Sequence, residues 1–264
     1  MSEVTPAATL ILLRDMPAGP PEILMVQRGE HLAFAGGNMV FPGGKIDADD
    51  RSIALASGLV VTGEPIEPDD LVARVAAIRE TLEEAGLAPG IDRITTVDQL
   101  EAIRSELHGG RPFSEILRAH QLQVDPYQLT PFARWLPQAF EMRRFDTRFY
   151  IAAEPALGDA LADGVESSRH CWLSADDHIK AGKLIFPTRR NLERLAQIDS
   201  VVSAVEFCGR YPIRIISPQI VKRDGARWLC LPEDLGYPVT AQLLAEVMRG
   251  QSEPPSPGIT RAPG

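Results

Sequence analysis

Residues 71–87 read LVARVAAIRETLEEAGL, and this stretch decides how the rest of the chain is read. Leu71, Val75, Ile78, Leu82 and Ala85 recur at intervals of four and three, the period of one helix face. Gly86 or Gly90 ends that helix, and Pro89 is excluded from its interior. At about 100° per residue, Glu80, Glu83 and Glu84 fall opposite the apolar stripe. Three carboxylates spaced three and four residues apart stand roughly 5–6 Å from one another at Cβ, near enough to share a hard cation through oxygen. Mg²⁺ keeps several of its waters and takes few protein carboxylates, which suits such an open patch.

Upstream, Phe41-Pro42-Gly43-Gly44-Lys45-Ile46-Asp47 is a short strand running into a tight turn whose exposed backbone can reach the same ion. Before it, Ala7 to Leu13 and Glu22 to Gln27 are apolar runs separated by DMPAGPP, which predicts a β-hairpin with a long loop. Between Asp47 and Pro68 lie small residues, acids and prolines with little periodicity, an inserted excursion centred on residues 51–70. Residues 97–120 predict a second helical insertion, interrupted by GGRP at 109–112. Strands are expected at Phe132 to Leu136, Arg148 to Ala152 and Arg169 to Leu173, a helix over Arg189 to Ile198, and a short strand at Arg214 to Ile216. Trp135 and Trp172 sit in apolar contexts that predict core positions. Residues 1–250 are expected to form one domain, and the Pro-, Ser- and Gly-rich tail 251–264 to be disordered.

The 264 residues carry 27 Lys plus Arg against 36 Asp plus Glu, a formal charge of −9. That field does not favour duplex nucleic acid or an anionic membrane, so a polyanionic ligand needs metal ions and local arginines. Cys171, Cys208 and Cys230 are widely separated and odd in number, which indicates neither a zinc site nor a disulfide framework. The five histidines show no metal-ligand spacing. The N-terminus lacks a basic leader, and its first apolar run is too short for a signal or a membrane span. A soluble, cytoplasmic protein is the expectation.

The joint pattern resembles the Nudix hydrolases, whose box runs Gly, five residues, Glu, seven residues, then Arg-Glu-U-x-Glu-Glu-x-Gly-U with U apolar. Arg79-Glu80-Thr81-Leu82-Glu83-Glu84-Ala85-Gly86-Leu87 matches its second half, and the first half starts at Gly44. Asp50 stands where the first Glu belongs, and Thr81 occupies an apolar position. The step from Gly44 to Arg79 is 35 positions, 21 more than that pattern allows. With Phe41 to Gly44, Arg144 to Phe149 and the segment from Glu166 to Trp172, the enlarged box is similar to the branch that includes the mammalian peroxisomal coenzyme A diphosphatases.

The resemblance implies an α/β/α sandwich with a mixed sheet and helical insertions, and hydrolysis of a nucleoside diphosphate derivative with Mg²⁺ or Mn²⁺. Its metal ligands would be the carbonyl of Gly43 and the carboxylates of Glu80, Glu83 and Glu84, with Glu166 as a further acid from outside the box. Arg79 would hold the Glu side chains, and Glu80 or Glu83 would take a proton from water. Substrate contacts are expected from Arg28, Gly44, Arg144 and Arg148, the last two together with Arg143 as bidentate phosphate partners. Arg28, Leu32 and Gly37 agree with the CoA-type segment of that branch, whereas Gly29 and Ala35 replace its Ser and His. CoA or acyl-CoA is therefore the first expected substrate. ADP-ribose, dinucleotides and nucleoside triphosphates are the alternatives, as is a nucleotide-binding module without turnover. The resemblance leaves room for a homodimer.

Overall fold

The computed structural model describes residues 4–28, 37–137, 144–155 and 167–252. Eleven strands and eight α-helices are present among them. In chain order these are β1 (Val4–Arg14), β2 (Glu22–Arg28), β3 (Met39–Val40), β4 (Gly43–Lys45), α1 (Ala48–Leu55), α2 (Pro68–Ala85), α3 (Val97–His108) and α4 (Phe113–Ala119). They continue with β5 (Thr130–Trp135), β6 (Arg144–Ala153), β7 (Ser167–Ser174), α5 (Ala175–Ala181), α6 (Phe186–Leu195), α7 (Val201–Gly209), β8 (Ile215–Ile216), β9 (Gln219–Arg223), β10 (Ala226–Cys230), β11 (Ala241–Leu243) and α8 (Leu244–Ser252).

β1 is the spine of an eight-stranded mixed sheet. One edge pairs in parallel with β6 from Val4 to Leu13. Its other edge meets β2 only at Leu13 and Arg14, after which the two arms of the expected hairpin diverge. The fork between them is filled by residues 39–45: Met39 and Val40 pair with β2, and Gly43, Gly44 and Lys45 pair with Thr9, Ala8 and Ala7. Pro42, which has no N–H to give a ladder, accepts from Leu10 N–H through its carbonyl at 3.0 Å. The two glycines are thus pinned to the spine strand inside the fork.

Alternation along β1 sorts the core into two layers. Ala8, Leu10 and Leu12 join Tyr150, Ala152 and the buried faces of α1 to α4 on one side. Ile11 and Leu13 join Phe149, Ile151, Trp135, α6 and α7 on the other. The sandwich is therefore the expected α/β/α arrangement. The second helical layer also carries a small antiparallel sheet, β11-β10-β9, beyond the strands expected from the sequence.

Several boundaries shift for local reasons. The excursion after Asp47 opens with a helix, α1, nucleated by a capping box in which Asp47 accepts from the backbone and Asp50 accepts from Asp47 N–H at 2.8 Å. α6 starts three residues before the expected Arg189 because Pro187 is accommodated in its first turn. α8 runs to Ser252, into the expected tail, and residues 253–264 lie outside the described residues. Among the described residues no helix is long and apolar enough to cross a membrane.

Candidate active site

α2 is capped at both ends by its own sequence. The Glu67 side chain accepts from Asp69 and Asp70 N–H, Pro68 occupies the first turn, and Gly86 closes the helix at φ 68°, donating to Leu82 O. The sequence predicts an open acidic face, but the helix is covered nearly all round, because β4 and α1 pack against the side that bears the acids. Glu84 is buried, and the Glu80 and Glu83 side chains keep 13% and 28% of their exposure.

The two glycines of β4 are explained by this covering. Glu84 Oε2 accepts from Gly43 N–H at 2.9 Å. A Cβ on Gly44 would stand 2.5 Å from the carboxylate carbon of Glu80, and one on Gly43 would stand 2.5 Å from the Ala8 carbonyl of β1. Gly43, at φ 156°, also adopts backbone geometry that side chains disfavour. The pair is a wedge just thin enough to fit between the spine strand and the carboxylates.

Arg79 gathers the cluster. Its Nε and Nη2 donate to the two oxygens of Asp50 at 2.8 and 2.9 Å, its Nη1 donates to Glu80 at 2.9 Å and to Glu83 at 3.5 Å, and Nη2 also reaches the Lys45 carbonyl at 3.0 Å. Asp50 is fully buried, and α1 carries it close enough that the shorter acid forms a bidentate pair. Thr81 is equally buried, and its hydroxyl is satisfied within the helix by Ala77 O at 2.7 Å, which lets it occupy an apolar position. Burial works against the charge of Arg79, but Asp50 and Glu80 outweigh it and raise its pKa above the ordinary value. Burial pushes Glu80 up to about 7; Arg79 opposes that rise, and the charges of Glu83 and Asp50 add to it.

The acceptors here are all oxygen, and a carboxylate whose pKa is raised by burial, with the charges of Glu83 and Asp50 adding to it, gains from a further cation. Both features fit a hard divalent ion such as Mg²⁺ or Mn²⁺. Among the described residues no three acids, histidines or cysteines already stand as a cage for one. Glu80 and Glu84 instead spend oxygens on Arg79 and on Gly43 N–H.

The other expected contacts are distributed differently. Arg148 donates to Asp70 at 3.0 Å and to Glu67 at 3.4 Å, at the first turn of α2. Asp70 is ten residues before Glu80, roughly 15 Å along the helix axis. Arg144 donates through Nε to Pro137 O at 3.1 Å. Neither arginine is brought to the carboxylates, because acids and carbonyls nearer in the fold already engage them. Glu166, Arg143, Leu32, Ala35 and the side chain of Arg28 lie outside the described residues. Two residues of α3 had no sequence signal: Arg104 reaches the carbonyls of Glu83 and Glu84, and His108 that of Glu83.

No family model matches the chain. It is 25% identical over 232 residues to the Caenorhabditis elegans protein named nudix hydrolase 7, covering 81% of this chain and 69% of that protein. It is 23% identical over 288 residues to a Xenopus laevis protein named acyl-coenzyme A diphosphatase, covering 85% of this chain and 73% of that one. Among solved structures it is similar to a NUDIX hydrolase from Alicyclobacillus acidocaldarius, with a TM-score of 0.67 and 29% identity over 78% of this chain and 97% of that one.

Proposed function

We propose that this chain, a Nudix hydrolase by its likeness to the relatives above, is a diphosphatase that hydrolyses coenzyme A or an acyl-CoA at the α2 carboxylates, releasing 3′,5′-ADP and 4′-phosphopantetheine or, from an acyl-CoA, its S-acyl form. The observation that carries this reading is the seat of Glu80, whose carboxylate rests on Gly44, is held by Arg79 and has a pKa raised to about 7.

Glu80, Glu83, Glu84 and the Gly43 carbonyl would hold the divalent ion, with Glu166 as a further acid. When bound, Mg²⁺ or Mn²⁺ neutralises diphosphate oxygens and lowers the pKa of water. The protein's own groups do the rest. Asp50 fixes Arg79, and Arg79 fixes the rotamers of Glu80 and Glu83, so the carboxylates need little reorganisation when the reaction occurs. Glu80, fixed by Arg79, accepts the proton of the attacking water as its oxygen bonds to one phosphorus and the bridging P–O bond breaks. Glu83 is the second candidate for that role. The Gly44 backbone is the candidate contact to the substrate diphosphate, and Arg28 is the candidate for its distal phosphate.

The CoA assignment is supported by the Xenopus relative's name and by Arg28, Leu32 and Gly37. Gly29 and Ala35 depart from that segment, which makes ADP-ribose and dinucleotides the rivals. A panel of CoA, acetyl-CoA, ADP-ribose and a dinucleoside diphosphate, incubated with Mg²⁺ or Mn²⁺ and read by mass spectrometry, separates them. CoA compounds are expected to be cleaved best. A kcat/KM at least tenfold higher for ADP-ribose or the dinucleotide overturns the CoA assignment.

A further inference from the structure

Two side chains of the α3 insertion grip the catalytic helix at a place the mechanism above does not use. The last carbonyls of an α-helix lack partners within it, and Glu83 and Glu84 supply two of these, since α2 ends at Ala85. Arg104, almost fully buried, donates from Nε to Glu83 O at 3.1 Å and from Nη2 to Glu84 O at 3.4 Å. His108 Nε2 lies 3.0 Å from the same Glu83 carbonyl. The two residues are one turn apart on α3 and so share a face, and Leu100, Ile103 and Leu107 anchor that helix in the core. At its other end the insertion is fastened to α1, where Asp49 accepts from the Ser114 N–H at 2.8 Å and the Ser114 hydroxyl at 2.7 Å.

The box is split by 21 extra residues, and a longer connection between Gly44 and Arg79 restrains the helix less than a short one. A brace from elsewhere in the chain replaces that restraint. The C-terminal end of a helix is also its negative end, and here three carboxylates add to it, so a guanidinium on the terminal carbonyls opposes both. We infer that Arg104, assisted by His108, is a positioning residue for the cation-binding carboxylates: by fixing the carbonyls of Glu83 and Glu84 it fixes the backbone from which both side chains spring. This inference rests on the diphosphatase reading of the site.

The test compares Arg104→Met, Arg104→Lys and His108→Ala with wild type in two assays. One is Mn²⁺ binding to the substrate-free protein, followed by electron paramagnetic resonance of the free ion. The other is kcat and KM on the best substrate of the panel. Partners that orient metal ligands are typically worth about 10–100-fold in affinity or activity. Arg104→Met is expected to lose that much in both Mn²⁺ affinity and kcat while KM changes less, Arg104→Lys to recover part of it, and His108→Ala to show a smaller loss of the same kind. Glu80→Gln, run in parallel, keeps the two claims apart, because wild-type turnover there defeats the diphosphatase reading itself. If Glu80→Gln is inactive and folded Arg104→Met binds Mn²⁺ and turns over like wild type, the positioning role is refuted whatever its melting temperature. Should Arg104→Met fail to fold, wild-type Mn²⁺ affinity and kcat in both Arg104→Lys and His108→Ala refute it equally.

Discussion

Replacing Gly44 with Ala adds one methyl group at the point where backbone and carboxylate meet. The new Cβ would stand 2.5 Å from Cδ and Oε1 of Glu80. Restoring an ordinary contact of about 3.4 Å moves the carboxylate by roughly 0.9 Å. Glu80 is the end of a flexible side chain, so the fold can absorb this. The displaced group forfeits its 2.9 Å hydrogen bond to Arg79, worth about 1.5–3 kcal/mol for a charged pair, and regains part of that by moving away from Glu83 and Asp50. A net loss of about 1 kcal/mol corresponds to a fall in Tm of about 2–4 °C for a chain of this size. A misplacement of about 1 Å at a reacting centre costs on the order of 10²-fold in rate. The expected signature is therefore a folded protein with nearly normal Tm and about one-hundredth of the kcat, measured by calorimetry and by initial rates on the best diphosphate substrate. Gly43→Ala should behave in the opposite way, since its Cβ meets the immovable backbone of β1 and stability falls first. Wild-type kcat in Gly44→Ala would refute the idea that Gly44 exists to seat Glu80.

Glu83→Gln and Glu84→Gln should each lower turnover by orders of magnitude while the protein stays folded, the Glu84 amide oxygen still accepting from Gly43 N–H; wild-type rates in both would sink the carboxylate assignment. Asp50→Asn leaves a buried guanidinium short of its bidentate partner and should cost about 3–5 kcal/mol in urea unfolding, near the lower end because Glu80 and Lys45 O remain; a loss no larger than that of the partly exposed Glu83→Gln would contradict it. His178 is buried with Nε2 2.8 Å from Ile23 O, and burial holds its pKa below the ordinary 6.5, against the opposing pull of that hydrogen bond and of Asp177. The unfolded chain therefore binds the extra proton first, so this contribution to stability is present above about pH 6.5 and is lost as pH falls through the lower folded value. Unfolding free energies between pH 7 and 5 should fall less steeply in His178→Asn, and identical slopes would exclude His178 as the cause.

The acidic helix was legible because it obeys two local rules at once, an apolar period and a C-terminal glycine, and because its acids follow a fixed pattern; its N-cap, Glu67 with Pro68 after it, was hidden in the excursion. The fork that holds Gly43 and Gly44 was only half legible. Phe41-Pro42-Gly43-Gly44 marks a turn, but the reason for two glycines is the approach of Glu80 and of β1, which are distant in sequence. The exposed acidic face was a misreading of the same kind: periodicity shows which side is apolar, not whether another element covers the polar side. Asp50 looked weakened by its short side chain until α1, a helix hidden in the excursion, brought it to Arg79. Nothing local to Arg148 reveals its ion pair with Asp70, 78 positions earlier. The small C-terminal sheet did leave a signal that went unused. Asp224-Gly225 sits between Gln219–Arg223 and Ala226–Cys230 with both φ values positive, the turn chemistry that joins a tight hairpin. β9 itself is largely exposed and carries little apolar pattern.

The most direct test of the central claim is the turnover of CoA, acyl-CoA, ADP-ribose and a dinucleotide by wild type and Glu80→Gln, with Mg²⁺ or Mn²⁺ present or removed by chelation. Wild type is expected to split a diphosphate into two phosphomonoesters only with the cation, and Glu80→Gln, folded to the same Tm within a few degrees, to lose this by orders of magnitude. Equal turnover in the two proteins, or ligand binding by wild type with no cleavage of any diphosphate, would contradict it.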